Sequence, residues 1–110
     1  MPSGQVPKLI LQVPGGARLE IPLSQEVLSI GRGPENDIVV DHDSISQRHA
    51  QVMLQGRDVV IQDLGSEQGT FVRGERLEMG YFVTLPPGQP CLLGQVSGVV
   101  DELPASAPAG

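Results

Sequence analysis

Residues 50–63 read AQVMLQGRDVVIQD, and this stretch decides the fold of the chain. It contains two apolar-rich runs, residues 50–54 and 58–63, whose composition is typical of β-strands. Between them, residues 55–57 read QGR, a short polar segment whose glycine suits a tight turn. We therefore predict a β-hairpin at the centre of the chain.

Short apolar runs separated by turn residues continue on both sides of this hairpin. Residues 8–13 and 18–21 flank the turn sequence PGG, which predicts a second hairpin. No window carries apolar residues at helical spacing over three turns without an interrupting Gly or Pro, so we predict no long helix. Strands at such close spacing favour a β-sandwich with alternating Val, Ile and Leu in its core. The remaining predicted strands are residues 27–30, 37–40, 70–72, 81–85, 90–93 and 96–100.

The composition supports one all-β domain. The chain has 110 residues, of which 39% are hydrophobic and 18% charged, as expected for a single globular domain that folds without disulfides. Its 14 glycines and 10 prolines suit a protein with many turns. The aromatic residues are two Phe and one Tyr, so aliphatic side chains must form the core.

Charge, cysteine content and hydropathy exclude several classes of function. The net charge of −6 argues against nucleic acid as a partner, because binding a phosphate backbone requires a basic surface. No apolar run reaches membrane-spanning length and the first residues do not read as a signal peptide, so we expect no membrane insertion. A single cysteine excludes an internal disulfide and a zinc site built of cysteines, and a reducing, cytoplasmic location fits.

The two ends of the chain differ in composition from its centre. Residues 1–7 are small and polar with two prolines, and we expect a flexible N-terminus. Residues 101–110 are rich in Pro and Ala, a composition typical of linkers. We therefore place the folded domain at residues 8–100 and expect the linker to lead to a further C-terminal region.

Catalytic and metal-binding arrangements find little support in the sequence. Ser46 and His49 lie close together, but a hydrolase also needs an orienting acid and an oxyanion hole, and no G-x-S-x-G sequence is present. Asp41, His42 and Asp43, together with His49, are side chains of the types that bind metals, but the sequence does not indicate a metal-binding geometry, and we interpret residues 41–43 as a solvated acidic turn. Cys91 lies in an apolar predicted strand and is interpreted as a buried, inert thiol. We therefore predict a protein that is not an enzyme and needs no metal or cofactor.

Three loops carry the residues that suggest a binding function. Residues 31–33 read GRG after a predicted strand, residues 44–50 read SISQRHA before another, and residues 65–71 read GSEQGTF between two more. Loops of a sandwich cluster at its ends, so these three can meet at one apex. Together they would place an arginine, a serine hydroxyl, backbone N–H groups and side-chain amides around a small space. That set suits a phosphorylated side chain, because Arg offers a charge-assisted fork and Ser a short donor.

These motifs resemble those of the forkhead-associated (FHA) family, whose members bind phosphothreonine peptides. The family has a Gly-Arg pair, a later Ser-x-x-His block, and then an Asn-Gly-Thr segment followed by two hydrophobic residues and Asn-Gly. This chain has GR at residues 31–32, SQRH at 46–49 and QGTFVRG at 68–74, in the same order and spacing. The resemblance covers residues 8–100 and implies an eleven-stranded β-sandwich that binds phosphothreonine through loops at one apex.

The resemblance implies a role for each residue that matches a family motif. It implies phosphate contacts for Arg32 and Ser46, and a backbone or side-chain donor to phosphate at Gln47. The remaining matched positions are interpreted as structural, because they tie loops together or allow unusual backbone angles and close approach. They are Gly31, His49 and Gly69.

The chain departs from the family pattern at three positions that we assign to peptide binding. Gln68 stands where the family has an Asn that hydrogen-bonds the peptide main chain; Gln keeps both donor and acceptor but is one methylene longer. Glu67 stands where Thr or Ser is common, and a carboxylate near a phosphate is unfavourable unless it points away. Arg73 replaces another Asn and offers a contact to an acidic residue of the peptide.

The sequence therefore predicts a non-catalytic, phosphothreonine-dependent recognition module that mediates regulated protein assembly. The expected partner is a protein phosphorylated on threonine by a Ser/Thr kinase. An alternative is a divergent FHA domain that binds its partner without phosphorylation, and Glu67 and Gln68 motivate it. A third interpretation, a structural spacer within a larger enzyme or transporter, also stays open.

Overall fold

The computed structural model describes residues 7–101, which form eleven strands and no helix. The predicted all-β sandwich is confirmed, and so is the strand count that the family resemblance implied. Over the same residues there is accordingly no helix that could span a membrane. The strands are β1 (Lys8–Gln12), β2 (Arg18–Pro22), β3 (Leu28–Gly31), β4 (Ile38–Val39), β5 (Ala50–Gln55), β6 (Asp58–Asp63), β7 (Thr70–Val72), β8 (Glu75–Arg76), β9 (Phe82–Thr84), β10 (Cys91–Leu93) and β11 (Val96–Asp101).

The strands form two sheets that pack face to face. The first sheet has six strands in the order β2-β1-β11-β10-β7-β8. The second has five strands in the order β4-β3-β5-β6-β9. Neighbouring strands are antiparallel except β3 and β4, which are parallel. The fold is therefore closed around a core that both sheets share, with β2, β8, β4 and β9 at the sheet edges.

Both predicted hairpins are present. β5 and β6 pair as far as Gln55 and Asp58, so the turn between them has only two residues. The first of these, Gly56, adopts a φ of 65°, a backbone angle that glycine reaches without steric cost. β1 and β2 pair in the same antiparallel way around residues 13–17. Each sheet thus contains one hairpin that the sequence pattern alone predicts.

Strand β8 is the element that the residue pattern did not predict. Glu75 and Arg76 are exposed and charged, so this segment carries no apolar alternation. It becomes a strand because Arg73 and Gly74 form a two-residue turn that folds it back along β7. Arg73 has a φ of 56°, which is uncommon for a residue with a side chain. A smaller difference concerns β4, which has two residues rather than the predicted run 37–40.

The core is aliphatic, as the composition predicts. In β1, Leu9 and Leu11 are fully buried while Gln12 is exposed, which shows the predicted alternation. The aromatic rings lie outside the buried core, since Tyr81 is 65% exposed and Phe82 is 45% exposed. Aliphatic packing therefore stabilises the sandwich and leaves aromatic surface available for contacts. The most deeply buried side chains also include Ile30, Val52, Ile61, Leu93 and Val96.

The predicted terminal segments lie almost entirely outside the described residues. The flexible N-terminus predicted for residues 1–7 shares only Pro7 with the described range. The linker predicted for residues 101–110 shares only Asp101, which is the last residue of β11 and extends the folded part by one residue. Both segments otherwise stay predictions.

Candidate functional site

Four loops meet at one end of the sandwich, which we call the apex. Backbone hydrogen bonds hold these loops together. The Arg32 N–H donates to the Ser46 carbonyl at 2.9 Å, and the Gly94 N–H donates to the Gly69 carbonyl at 2.9 Å. The predicted meeting of the three motif-bearing loops is therefore present, with a fourth loop beside them. The four loops are residues 32–37, 40–49, 64–69 and 94–95.

The imidazole of His49 joins two of these loops beneath the surface of the apex. His49 is fully buried, and its Nδ1 accepts a hydrogen bond from the Ser46 N–H at 3.1 Å. The ring proton must therefore sit on Nε2, which donates to the Gly69 carbonyl at 3.1 Å. Burial lowers the pKa of His49, although the Gly69 carbonyl and the Asp63 carboxylate act in the opposite direction. The structure thus places this histidine where it braces loops as a neutral ring.

Ser46 and Arg32 offer a hydroxyl and a guanidinium in two loops that a backbone hydrogen bond joins. The Ser46 Oγ accepts a hydrogen bond from the Glu67 N–H at 3.0 Å, so its own O–H remains available to donate. The Arg32 side chain is 41% exposed, and its Nη1 lies 3.5 Å from the Asp43 Oδ1. A planar charged donor and a neutral donor in adjacent loops can bind an oxyanion between them.

The backbone of Gln47 is fixed by the neighbouring loop, while its side chain is exposed. The Gln47 carbonyl accepts hydrogen bonds from the Asn36 Nδ2 at 2.7 Å and from the Gly33 N–H at 3.3 Å. Gly31 approaches this carbonyl so closely that a Cβ at residue 31 would overlap the Gln47 oxygen. Gly31 therefore has a steric reason to be glycine.

Asn36 is a bracing residue that the sequence analysis did not single out. It is 7% exposed, and its Nδ2 also donates to the Gly33 carbonyl at 2.7 Å. The side chain therefore bonds both within its own loop and across to the loop that carries Gln47. The sequence feature that could have indicated this role is an Asn within residues 33–37, a segment of Gly, Pro and acidic residues that is typical of turns.

Asp63 is a second missed residue and the centre of a buried hydrogen-bond network. Its carboxylate accepts from the N–H groups of Gly65 and Ser66 at 2.9 and 3.1 Å, and from the hydroxyls of Ser66 and Thr70. Burial by itself would raise the pKa of Asp63, but these hydrogen bonds outweigh it and lower the pKa. The available signal was an Asp at the end of a strand followed by Gly and Ser, because Asp there commonly caps a turn.

Glu67 and Gln68 form the exposed rim of the same loop. Gln68 lines a polar cavity of about 510 Å³ together with Asp41, Asp43 and Gln95. Gln68 is exposed, so its side-chain amide is accessible from solvent. The Glu67 N–H bonds to the Ser46 Oγ, so this loop adjoins the one that carries Ser46 and Gln47.

Arg73 is the predicted site residue that the structure does not bring into this cluster. It lies on the β7–β8 turn, and the extended chain from Thr70 to Arg73 spans roughly 10 Å. There it lines an apolar cleft that also contains Tyr81. Gly69, by contrast, belongs to the apex, with a φ of 94° and no room for a Cβ, which would lie 2.9 Å from the Arg76 Nε.

The groups considered for catalysis are not arranged as a nucleophile and a base. The Ser46 hydroxyl bonds to the Glu67 N–H, while the His49 Nδ1 is occupied by the Ser46 backbone N–H. Cys91 is buried, as predicted, and burial raises the pKa of its thiol to about 12. Within residues 7–101 no three His, Cys, Asp or Glu side chains come together in a group that could hold a metal ion.

The sequence of this chain is similar to known proteins that contain FHA domains. The model of the FHA domain family matches residues 28–94. The FHA domain-containing protein FhaB of Mycobacterium tuberculosis is 34% identical over 82 residues, which are 74% of this chain and 50% of FhaB. The chain thus spans about half the length of this curated relative.

Two solved structures extend the comparison to the fold and to a ligand. The FHA domain of the CT664 protein from Chlamydia trachomatis has a TM-score of 0.73 and 29% identity, covering 88% of this chain and 99% of that one. EmbR of Mycobacterium tuberculosis has a TM-score of 0.71 and 26% identity, covering 92% of this chain and 26% of EmbR. The EmbR structure is that of a complex with a low-affinity phosphopeptide.

Proposed function

This chain belongs to the FHA domain family, and from that premise we propose that it is a phosphothreonine-dependent recognition module without catalytic activity. Its partner is a protein phosphorylated on threonine by a Ser/Thr kinase, and its role is regulated protein assembly. The family match over residues 28–94 supports this proposal, because it includes Arg32, Ser46 and Gln68. A reducing, cytoplasmic location suits the single buried thiol.

One observation carries the proposal: the Arg32 guanidinium and the Ser46 hydroxyl lie in two loops that are bonded to each other. The backbone N–H of Arg32 donates to the Ser46 carbonyl, so the spacing of the two residues is fixed. A phosphate dianion can accept hydrogen bonds from both side chains, and each charge-assisted bond is worth about 1.5–3 kcal/mol. The exposed side chain of Gln47, next along the chain, offers a further donor.

Asp43 is the group that a phosphate must replace. Its carboxylate contacts the Arg32 Nη1 at 3.5 Å, and its side chain is fully exposed. A phosphate carries more charge than a carboxylate and presents three oxygens to the guanidinium fork. Phosphate therefore competes well with Asp43 for Arg32. A peptide carboxylate in the same place binds Arg32 no more strongly than Asp43 does.

The residues at the rim extend the site from the phosphate to the peptide. We assign a main-chain contact to Gln68, because its amide carries both a donor and an acceptor. Glu67 is exposed, so its carboxylate can turn to solvent and away from the phosphate. To Arg73, which lies on the separate β7–β8 turn, we assign a contact with a part of the partner more distant from the phosphothreonine.

The proposal is tested with a degenerate phosphothreonine peptide library beside the same library without phosphate, at moderate salt. We expect selective binding of the phosphorylated library. Arg32→Ala should weaken binding about ten- to a hundredfold, because it removes charge-assisted hydrogen bonds. Arg57→Ala is the matched control, since Arg57 is an exposed arginine on the β5–β6 turn at the opposite end of the sandwich. Equal binding of the two libraries contradicts the proposal.

Phospho-independent recognition is the second candidate, and the position of Glu67 favours it. The Glu67 N–H bonds to the Ser46 Oγ, which places an acidic residue next to the proposed phosphate ligand. If phosphate binds at Ser46, then Glu67→Ser should raise the affinity for a phosphopeptide, because it removes a like charge. If the partner binds without phosphate, Arg32→Ala leaves its affinity unchanged.

A further inference from the structure

A lateral edge of the sandwich carries an apolar groove that the proposed phosphate site does not use. β8 ends the six-stranded sheet and β9 ends the five-stranded sheet. A groove of about 490 Å³ lies between these two edges, and we call it the lateral groove. Its lining includes the apolar side chains of Val72, Leu77 and Val83, with Tyr81 on its wall. Tyr81 is 65% exposed, so the groove offers an aromatic contact surface.

The charges around the lateral groove balance each other. Its charged lining residues are two arginines, Arg73 and Arg76, and two glutamates, Glu75 and Glu78. No ion pair joins any of these four to another residue in the described part of the chain. A net-neutral rim over an apolar lining favours an uncharged, apolar side chain as the occupant. This differs from the acidic surroundings of Gln68 at the apex.

A single peptide unit joins the lateral groove to the proposed phosphate site. The Ser66 carbonyl accepts a hydrogen bond from the Arg76 Nη2 at 3.4 Å, and Arg76 lines the groove. The N–H of the same peptide unit belongs to Glu67 and donates to the Ser46 Oγ at 3.0 Å. The Arg76 guanidinium and the Ser46 hydroxyl thus bond to opposite sides of one planar peptide unit, which makes the groove wall a neighbour of the proposed phosphate site.

Met79 continues the apolar surface between the two places. Its side chain is 67% exposed and packs against Gly65 in the apex loop, where an added Cβ would lie 3.1 Å from the Met79 Sδ. A chain leaving the apex over residues 64–69 therefore meets apolar surface on its way to the lateral groove. Met79 follows the groove residue Glu78 in the chain and thus lies between the apex loop and the groove wall.

We propose that the lateral groove binds a second, apolar anchor of the same partner that carries the phosphothreonine. The anchor is an aromatic or long aliphatic side chain in an extended segment outside the core motif. The inference rests on the proposed function and deepens it, because it defines the partner by two features rather than one. Two linked contacts raise affinity more than either contact alone, since the second one forms within the complex.

The experiment compares a short probe with a long one. The short probe is the best nine-residue phosphothreonine peptide from the degenerate library, and the long probe is a library with the same core and about ten degenerate residues on each side. Affinities are measured by fluorescence polarisation. We expect the long library to select an apolar residue at one fixed distance from the phosphothreonine and to gain about tenfold in affinity.

Two neighbouring aromatic residues provide the variant and its control. Tyr81→Ser should remove the tenfold gain and leave the affinity for the short probe unchanged, because Tyr81 lines the lateral groove. Phe82→Ser should keep the gain, because Phe82 is 45% exposed but is not part of the groove lining. Thermal unfolding of both variants is the check that they are folded. Tyr81→Phe should also keep the gain, since the ring rather than the hydroxyl makes the contact.

The outcomes separate this inference from the function on which it rests. If the short probe binds only when phosphorylated and no extension raises the affinity, the proposal for the lateral groove is contradicted and the proposed function stands. A gain that survives Tyr81→Ser overturns it as well. Wild-type protein that sediments as a dimer while Tyr81→Ser is monomeric shows that a second copy occupies the groove, which also contradicts the proposal. A short probe that binds equally well without phosphate overturns both proposals.

Discussion

The apex consists of two layers that differ in how their polar groups are satisfied. In the inner layer, His49 and Asp63 are buried, and their polar atoms are paired with backbone groups and hydroxyls. In the outer layer, Arg32 and Gln68 are exposed, and the one ion pair of Arg32 is a 3.5 Å contact with Asp43. The polar groups of His49 and Asp63 are thus satisfied within the protein, whereas the buried Asn36 Oδ1 has no hydrogen-bond partner among the described residues. The outer layer keeps donors for a ligand.

Because of this difference, the inner layer should contribute mainly to the stability of the domain and the outer layer mainly to ligand binding. Buried polar groups without partners are costly, so changes in the inner layer should unfold loops or the whole domain. Exposed polar groups contribute little to stability, so changes in the outer layer should alter affinity and leave the fold intact. Substitutions in the two layers should therefore give opposite patterns in unfolding and binding measurements.

The largest effect is expected for Asp63→Ala in the inner layer. This change leaves the hydroxyls of Ser66 and Thr70 and two backbone N–H groups without their acceptor. We expect a loss of about 3–5 kcal/mol in the free energy of unfolding, measured by urea denaturation. Asp58→Ala is the control, because Asp58 is exposed at the far end of β6 and should change stability by less than about 0.5 kcal/mol. Similar losses of unfolding free energy in both variants would contradict a particular role of the inner layer in stability.

Acid should weaken the inner layer through His49. The pKa of His49 is lowered from its ordinary value of 6.5 because the ring is buried, so the unfolded chain takes up a proton before the folded one does. The stabilising contribution is complete above pH 6.5 and declines as pH falls from there towards the lowered pKa. The pKa of Asp63 is also lowered, from 3.8, so its contribution is lost only in stronger acid, below that value.

The slope of stability against pH identifies the residue responsible. Urea denaturation at several pH values between 7 and 5 should show stability falling for the wild type. His49→Gln should remove this slope, whereas His42→Gln should retain it, because His42 is only half-buried and its ring bonds to Ser44 within the same loop. A slope that persists in His49→Gln contradicts the assignment to the inner layer.

A smaller effect, on binding alone, is expected for Asp43→Asn in the outer layer. This change releases the Arg32 guanidinium from its carboxylate neighbour and removes a charge that repels phosphate. We expect the affinity for a phosphothreonine peptide to rise about two- to fivefold, in line with an exposed ion pair, with unchanged stability. Asp41→Asn removes the same charge from the same loop, and Asp41 makes no ion pair among the described residues. If both variants gain the same affinity, the cause is the general loss of negative charge, and Asp43 does not compete with phosphate for Arg32.

The smallest effect is expected at Arg73, which belongs to neither layer. Its φ of 56° lies in the left-handed region, where Asn is tolerated better than residues with longer side chains. Arg73→Asn should therefore raise the free energy of unfolding by about 0.5 kcal/mol and leave binding of a short phosphopeptide unchanged. Isothermal titration of that peptide and urea denaturation check the two parts. A loss of affinity for the short peptide would place Arg73 in the phosphate site after all.

Most of the fold could be predicted from the sequence because its strands repeat one pattern. Runs such as 18–21 alternate between polar and apolar residues and end at turn residues, so each is visible within a short window. β8 could not be predicted in this way, because its two exposed charged residues pair with β7 only through the turn at Arg73. The family resemblance implies an eleventh strand but does not say where in the chain it lies.

The outer layer of the site was easier to predict than the inner layer. Arg32, Ser46 and Gln68 stand in motifs whose order and spacing are recognisable. The partners of Asp63 lie nearby in the chain, but its importance depends on burial, which a single polar residue does not reveal. Arg73 is assigned to peptide binding because it stands at a position where the family has Asn, and an extended strand places it at a distance from the apex.

The position of Tyr81 also gives the protein an optical reporter. The chain has no tryptophan and one tyrosine, so its fluorescence above the phenylalanine range comes from a single ring. That ring is 65% exposed on the wall of the lateral groove. Its emission therefore senses solvent at one known place on the surface, and covering that place changes the signal without any added label.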